Sequence, residues 1–185
     1  MKRFLLAICL TCMSLCSWSQ KMVDGVLEYK IVKQFDGVTA SKLYTKSLTA
    51  LSSLAGSLHN SKLNIDVQDK DACLVVYKGQ YWIGFHKSNM LCGYDGYADA
   101  TIDIRCKDGR VQYTVRVPSV TFVWNGDPAQ ETAPTSELFP EYTYKKKLAN
   151  SKKAILDLYP KVPHALPEIV DAIIQKMQND KDDDF

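Results

Sequence analysis

The order of apolar and polar positions along this chain predicts a strand, a helix, a run of strands and then two more helices. Leu63, Ile65 and Val67 alternate with Asn64, Asp66 and Gln68, the period of two of a half-buried strand. Val26 to Phe35 reads as an earlier strand stopped by Asp36-Gly37. Cys73 to Phe85 reads as a long apolar strand interrupted at Lys78-Gly79-Gln80, where the glycine predicts a bulge or a bend. Between the first two strands, Leu43, Leu48, Leu51, Leu54 and Leu58 recur in steps of three to five. That spacing predicts one helix with a single buried stripe, capped by Thr39 or Ser41 and ending at His59-Asn60-Ser61.

Lys107-Asp108-Gly109-Arg110 carries the clearest local signal, because Asp-Gly between two alternating runs marks a two-residue hairpin turn. That turn sets Cys106 opposite Val111, Ile104 opposite Tyr113, Ile102 opposite Val115 and Ala100 opposite Val117, with all eight on one face. The other face then carries Asp99, Thr101, Asp103 and Arg105 against Gln112, Thr114 and Arg116. A slip of one residue would bury those charges, so the register is well specified. Val120, Phe122 and Trp124 extend the second strand past Pro118, which belongs at an edge or a bulge. Asn125 to Glu137 is rich in Pro, Thr and Gly and reads as a loop. Two helices follow, one near Ser151 to Leu158 and one opened by Pro167. The second carries the stripe Leu166, Ile169, Val170, Ile173, Ile174 and Met177. The charged tail from Asp180 to Phe185 reads as a frayed end.

At the N-terminus the pattern changes. Lys2 and Arg3 precede the apolar run Phe4 to Leu15, and Ser17-Trp18-Ser19 then places small residues before Gln20. This is the layout of a signal peptide cleaved near Ser19/Gln20, and it predicts export to the periplasm or beyond. The run is too short to cross a hydrocarbon core, which needs about 20 residues. The residues before Cys9, Cys12 and Cys16 do not suit lipid attachment, and no later segment is apolar enough to span a membrane. Losing Lys2 and Arg3 brings the 23 basic residues level with the 21 acidic ones. Such balance argues against nucleic acid as the main partner. Cys73, Cys92 and Cys106 remain after cleavage, too few for a disulfide framework and without a CxxC pair for zinc. Cys73 and Cys106 read as small buried hydrophobes in strands.

Candidate chemistry is sparse. The three histidines, His59, His86 and His164, have no Ser or Asp partner at a recognisable spacing, and no cofactor or metal site is predicted. Asp99 and Asp103 share a strand face with Arg105 and Arg116, which predicts cross-strand ion pairs. The aromatic residues form the more informative group. Tyr77, Tyr81, Trp82, Tyr94, Tyr97 and Trp124, with Phe85, read either as core and rim packing or as a ligand face. Within the strand, Tyr77 and Tyr81 share one side and Trp82 takes the other. Cys92-Gly93-Tyr94-Asp95-Gly96-Tyr97 reads as a glycine-flexible loop beside them.

Several of these residues carry a family likeness. Ser41-Lys42-Leu43-Tyr44 at the helix start, Lys78-Gly79 in the third strand, and Ile102 to Arg110 leading into Val111-Gln112-Tyr113 resemble the DUF4468 family of exported Bacteroidetes proteins. The likeness spans roughly Val26 to Trp124. It implies a TBP-like fold, a curved antiparallel sheet of about five strands with helices on one face, and no assigned function. The expected organisation is a signal peptide over 1–19, an α+β domain over 20–125, and helices over 126–185 that pack on it or extend it. The expected role is an exported, non-enzymatic binding or interaction module. Its partner is an unidentified small molecule, glycan, lipid or protein. A structural part in a cell-envelope assembly is the alternative, and a hydrolytic enzyme is least supported.

Overall fold

The computed structural model describes residues 19–55, 62–89, 92–125, 130–145 and 151–179. The expected leader apart from Ser19, the helix end at His59 and the tail lie outside the described residues. The sheet holds seven strands: β1 (Ser19–Val23), β2 (Val26–Gln34), β3 (Lys62–Asp69), β4 (Leu74–Lys87), β5 (Gly93–Lys107), β6 (Arg110–Trp124) and β7 (Gln130–Pro134). Their order is β1-β2-β6-β5-β4-β3, all antiparallel, with β7 on the far half of β6. The helices are α1 (Ala40–Ala55), the single turn α2 (Thr135–Leu138), α3 (Ser151–Leu158) and α4 (Val162–Asn179), with a 3₁₀ turn over Tyr159–Lys161 between the last two.

Alternation places Tyr29, Val75, Ile102, Ile104, Tyr113 and Val115 on one face, where they are fully or almost fully buried. Leu43, Leu51 and Leu54 of α1 and the stripe Leu166 to Met177 of α4 join them in one core. The layout is therefore α+β with helices on one face, and two strands more than the five expected. Both extra strands have weak patterns. β7 buries only Glu131 and Ala133. β1 is short, but Asp24-Gly25, both at positive φ (51° and 78°), join it to β2 as a two-residue hairpin. That is the same dipeptide that marks the β5–β6 turn.

At that second turn Cys106, Ile104 and Ile102 oppose Val111, Tyr113 and Val115 as expected. Ala100 departs from the expected pairing. The register shifts between Asp99 and Thr101, so Ala100 meets two residues of β6, Val117 and Pro118. A proline fits there because a bulge frees one residue from the ladder. The same point ends the pairing of β6 with β2 and begins its pairing with β7. The Thr135 hydroxyl sits against three carbonyl oxygens at this junction, Val117 (2.8 Å), Pro118 (3.0 Å) and Gly25 (3.1 Å).

Three further expectations shift. The bulge predicted at Gly79 lies instead between Trp82 and Gly84, where Ile83 is the extra residue. Cys73 closes the β3–β4 turn at φ 49° and is half-buried, whereas Cys106 is buried in β5. Helix α4 begins at Val162, and Pro167 lies inside it. Having no N–H, Pro167 leaves the carbonyl of Pro163, four residues earlier, without its helical partner. The side-chain amide of Gln20 donates to that carbonyl.

Candidate functional site

No described helix covers the face of the sheet opposite the core, the open face, and its side chains change character along the strands. At one end lie Trp82 and Phe85 of β4 with Tyr97 of β5. Trp82 and Tyr97 are direct cross-strand partners, and Phe85 faces Asp95. The Ile83 bulge creates this grouping. Strict alternation would put Phe85 with Tyr81 under the helices, but one extra residue reverses the parity and brings Phe85 to the open side. It is 41% exposed, while Trp82 and Tyr97 are half-buried. Trp82 donates its indole N–H to Asp95 Oδ1 at 2.8 Å, which fixes the ring. Burial, with a smaller contribution from the Asp95 carboxylate, raises the Tyr97 phenol above its ordinary value, so it stays a hydroxyl at neutral pH.

Next along the face, Asp99 accepts hydrogen bonds from Ser119 Oγ (2.7 Å), Thr121 Oγ1 (2.9 Å) and Gln80 Nε2 (3.0 Å). The Thr121 proton is committed to Asp99, so Thr132 donates to Thr121 across 3.0 Å. Asp99, Gln80, Lys78 and Pro118 line a shallow hollow of about 270 Å³ over the Ala100 bulge. Beyond it Arg116 bridges Asp103 (2.8 Å) and Glu28 (3.1 Å). Of the expected ion pairs, Arg116 with Asp103 forms. Asp99 takes neutral donors instead, because Ser119 and Thr121 lie beside it across the bulge.

The six aromatic residues expected to form a ligand face are divided by the sheet. Trp82 and Tyr97 are on the open side. Tyr77 lies in the core, 2% exposed, and Tyr81 packs against the core within the electrostatic reach of Glu168 of α4. Tyr94 and Trp124 are paired on the helix side, with ring centroids 4.8 Å apart. The stretch from Gly93 to Tyr97 is strand and not a flexible loop, and its glycines serve close packing. A Cβ on Gly93 would lie 2.2 Å from the His86 carbonyl oxygen. The β4–β5 loop is instead tied by the Ser88 and Asn89 N–H groups to the Cys92 carbonyl and by Cys92 N–H to Asn89 Oδ1.

His86 also faces the helices, where its Nδ1 is 3.1 Å from Asp157 Oδ2 and a sheet's thickness from Asp95 and Asp99. His164 is exposed on α4. Among the described residues no group of three His, Cys, Asp or Glu side chains is placed to hold a metal. No helix among them is long and apolar enough to cross a membrane.

Two solved structures share this arrangement of sheet and helices. A DUF4468 family protein from Bacteroides ovatus aligns with a TM-score of 0.62 at 16% identity, covering 89% of this chain and 94% of that one. A TBP-like protein from Parabacteroides distasonis aligns with a TM-score of 0.63 at 10% identity, covering 86% of this chain and 97% of that one. The chain has a TBP-like fold and shares it with these two structures. At these identities the likeness carries the fold and no residue's role. No family model and no curated protein matches the sequence.

The TBP-like sheet also buries a polar cluster that sequence reasoning missed. Glu131 of β7 is 4% exposed and accepts the Tyr144 hydroxyl at 2.8 Å, with Tyr94 and Tyr142 near enough to feel its charge. Burial first, then the bond to Glu131, pushes the Tyr144 phenol well above its ordinary value. Glu131 was invisible because it stands in a segment whose Pro, Thr and Ala content reads as loop.

Proposed function

We propose that the protein is an exported, non-enzymatic binding module that meets its ligand on the helix-free face, at the end formed by Trp82, Tyr97 and Phe85. The observation that carries this reading is the grouping of those three rings on the sheet face that no described helix covers. Aromatic area left in water gains when it is covered, and Trp and Tyr dominate contact energies where partners meet. Asp95 holds Trp82 in place, so little side-chain freedom is lost on binding. The hydroxyls and carboxylates beside the rings suit a polar ligand with an apolar surface, such as a glycan or a peptide. The non-enzymatic part rests on the carboxylates. Asp95 and Asp99 are occupied by Trp82 and by three neutral donors, and His86 is on the other side of the sheet.

Native mass spectrometry of the protein purified from its own source tests this. The expected result is an added mass that survives gentle desolvation and is lost in the Trp82→Ala/Tyr97→Ala variant. A bare monomer mass, or an added mass unchanged in the variant, overturns the reading. The alternative, a structural part in an envelope assembly, draws on Val67 of the edge strand β3 and Leu156 of α3, which are 41% and 43% exposed.

A further inference from the structure

At the opposite end of the open face, next to the β5–β6 turn, lies a chemistry that the aromatic end does not explain. Arg105 and Lys107 of β5, Arg110 and Gln112 of β6 and Val32 of β2 line a hollow of about 280 Å³. The register sets Lys107 opposite Arg110, and Gln112 between Arg105 and Val32. All three cations are exposed, and none has an ion pair among the described residues. Carboxylates of the neighbouring strands and turns have other partners. Asp103 and Glu28 hold Arg116, Asp108 accepts the Ala40 N–H at 2.8 Å, and Asp69 accepts the Ala72 N–H at 2.8 Å.

Like charges facing each other across a pair of strands repel. Three of them converge here without an ion pair among the described residues, in a chain whose overall charge is close to balanced. An anion removes that repulsion. Two guanidinium forks, an ammonium and the Gln112 amide offer several N–H donors to tetrahedral oxygens, and a pair of Arg forks matches that geometry. A single carboxylate would satisfy one fork and leave two cations uncompensated, whereas a dianion offsets most of the charge. Val32, 40% exposed, gives the hollow one apolar wall against which the carbon end of an ester can rest. The volume is at the low end for ligand sites, so it fits a head group and not a large molecule. Three cations are also too few to hold a nucleic acid firmly at physiological salt.

We propose that this hollow binds a phosphomonoester dianion, with Arg105 and Arg110 as its oxygen-binding forks, Lys107 as the third charge and Val32 against the ester carbon. A soluble phosphate ester and an anionic lipid head group both present this chemistry. The proposal is independent of the aromatic end of the face.

The test uses the chain from Gln20 onward, with three probes: glycerol phosphate in solution, phosphatidylcholine vesicles containing phosphatidic acid, and phosphatidylcholine vesicles alone. Arg105→Gln/Arg110→Gln is compared with Lys152→Gln/Lys153→Gln, which makes the same charge change on exposed positions of α3. Equal melting temperatures establish that both variants fold. The expected result is saturable binding of at least one phosphate probe by wild type and by the α3 variant. The arginine variant then binds roughly 10-fold or more weakly, and Trp82→Ala binds as wild type does. Glycerol phosphate binding assigns the site to soluble esters, and binding of phosphatidic acid vesicles alone assigns it to a lipid head group. Failure of both phosphate probes to saturate, equal weakening in the two charge variants, or full binding by the arginine variant overturns the proposal.

Discussion

Asp108 shows how much one side chain can do in this fold. It forms the β5–β6 turn with Gly109, whose φ of 72° favours glycine, and its carboxylate also accepts the N–H of Ala40, the first residue of α1. An acidic group at a helix start satisfies an otherwise unpaired donor and suits the helix dipole. The turn therefore positions the helix 68 residues away in sequence. Asp108→Ala is expected to cost about 1 kcal/mol in chemical denaturation and Asp108→Asn distinctly less, since the amide oxygen keeps the bond. The turn was legible in the sequence from Asp-Gly alone. Its contact with Ala40 was not, because no local pattern reports a partner so distant.

Cys106 is the second informative residue. Burial pushes its thiol from 9.0 to about 11, and the half-buried Cys73 adds to the shift while Ser47 works against it. The folded state thus holds a proton that the unfolded chain gives up from pH 9 upward. The sign follows from that difference. Stability is unaffected below pH 9 and falls as pH rises toward 11, with the raised phenols of Tyr113 and Tyr144 extending the loss at higher pH. Denaturation midpoints measured between about pH 8 and about pH 10 should fall in the wild type and fall less steeply in Cys106→Ala.

Among the elements, the docking of α3 on the sheet depends on two glycines. Gly84 and Gly96 are cross-strand partners on the helix side, and Leu158 of α3 fills the space they leave. A Cβ on Gly96 would meet Ile83 at 2.9 Å and Leu158 at 3.1 Å. Gly96→Ala should therefore destabilise the protein by about 1–3 kcal/mol through overpacking, read as a lower melting temperature, and Leu158→Ala in the same chain should restore part of it. The helices and the long strands were legible because their stripes are strong. Bulges were less so. Gly79 drew the prediction, but a glycine in a strand signals only weak side-chain constraint, and the extra residue was Ile83, an ordinary strand former. That single misplacement decides which face Phe85 and His86 occupy. The bulge brings Phe85 beside Trp82 and Tyr97, whereas the separation of those two rings from Tyr77, Tyr81, Tyr94 and Trp124 follows from ordinary strand alternation.

Among the described residues, the helices cover one side of a seven-stranded sheet, and the other side carries rings at one end, carboxylates and hydroxyls in the middle and cations at the turn. The hairpin register was legible, but the order of these patches was not, because the three register shifts in the sheet decide which residues become neighbours. The central claim is that this face is the contact surface. Hydroxyl-radical footprinting, comparing the protein within its own cells with the purified chain, tests it most directly. The account predicts that Trp82, Phe85 and Tyr97 are labelled when purified and protected in the cell, while Val67 and Leu156 are labelled equally in both. Protection confined to Val67 or Leu156, with the three rings labelled alike in both states, would contradict it.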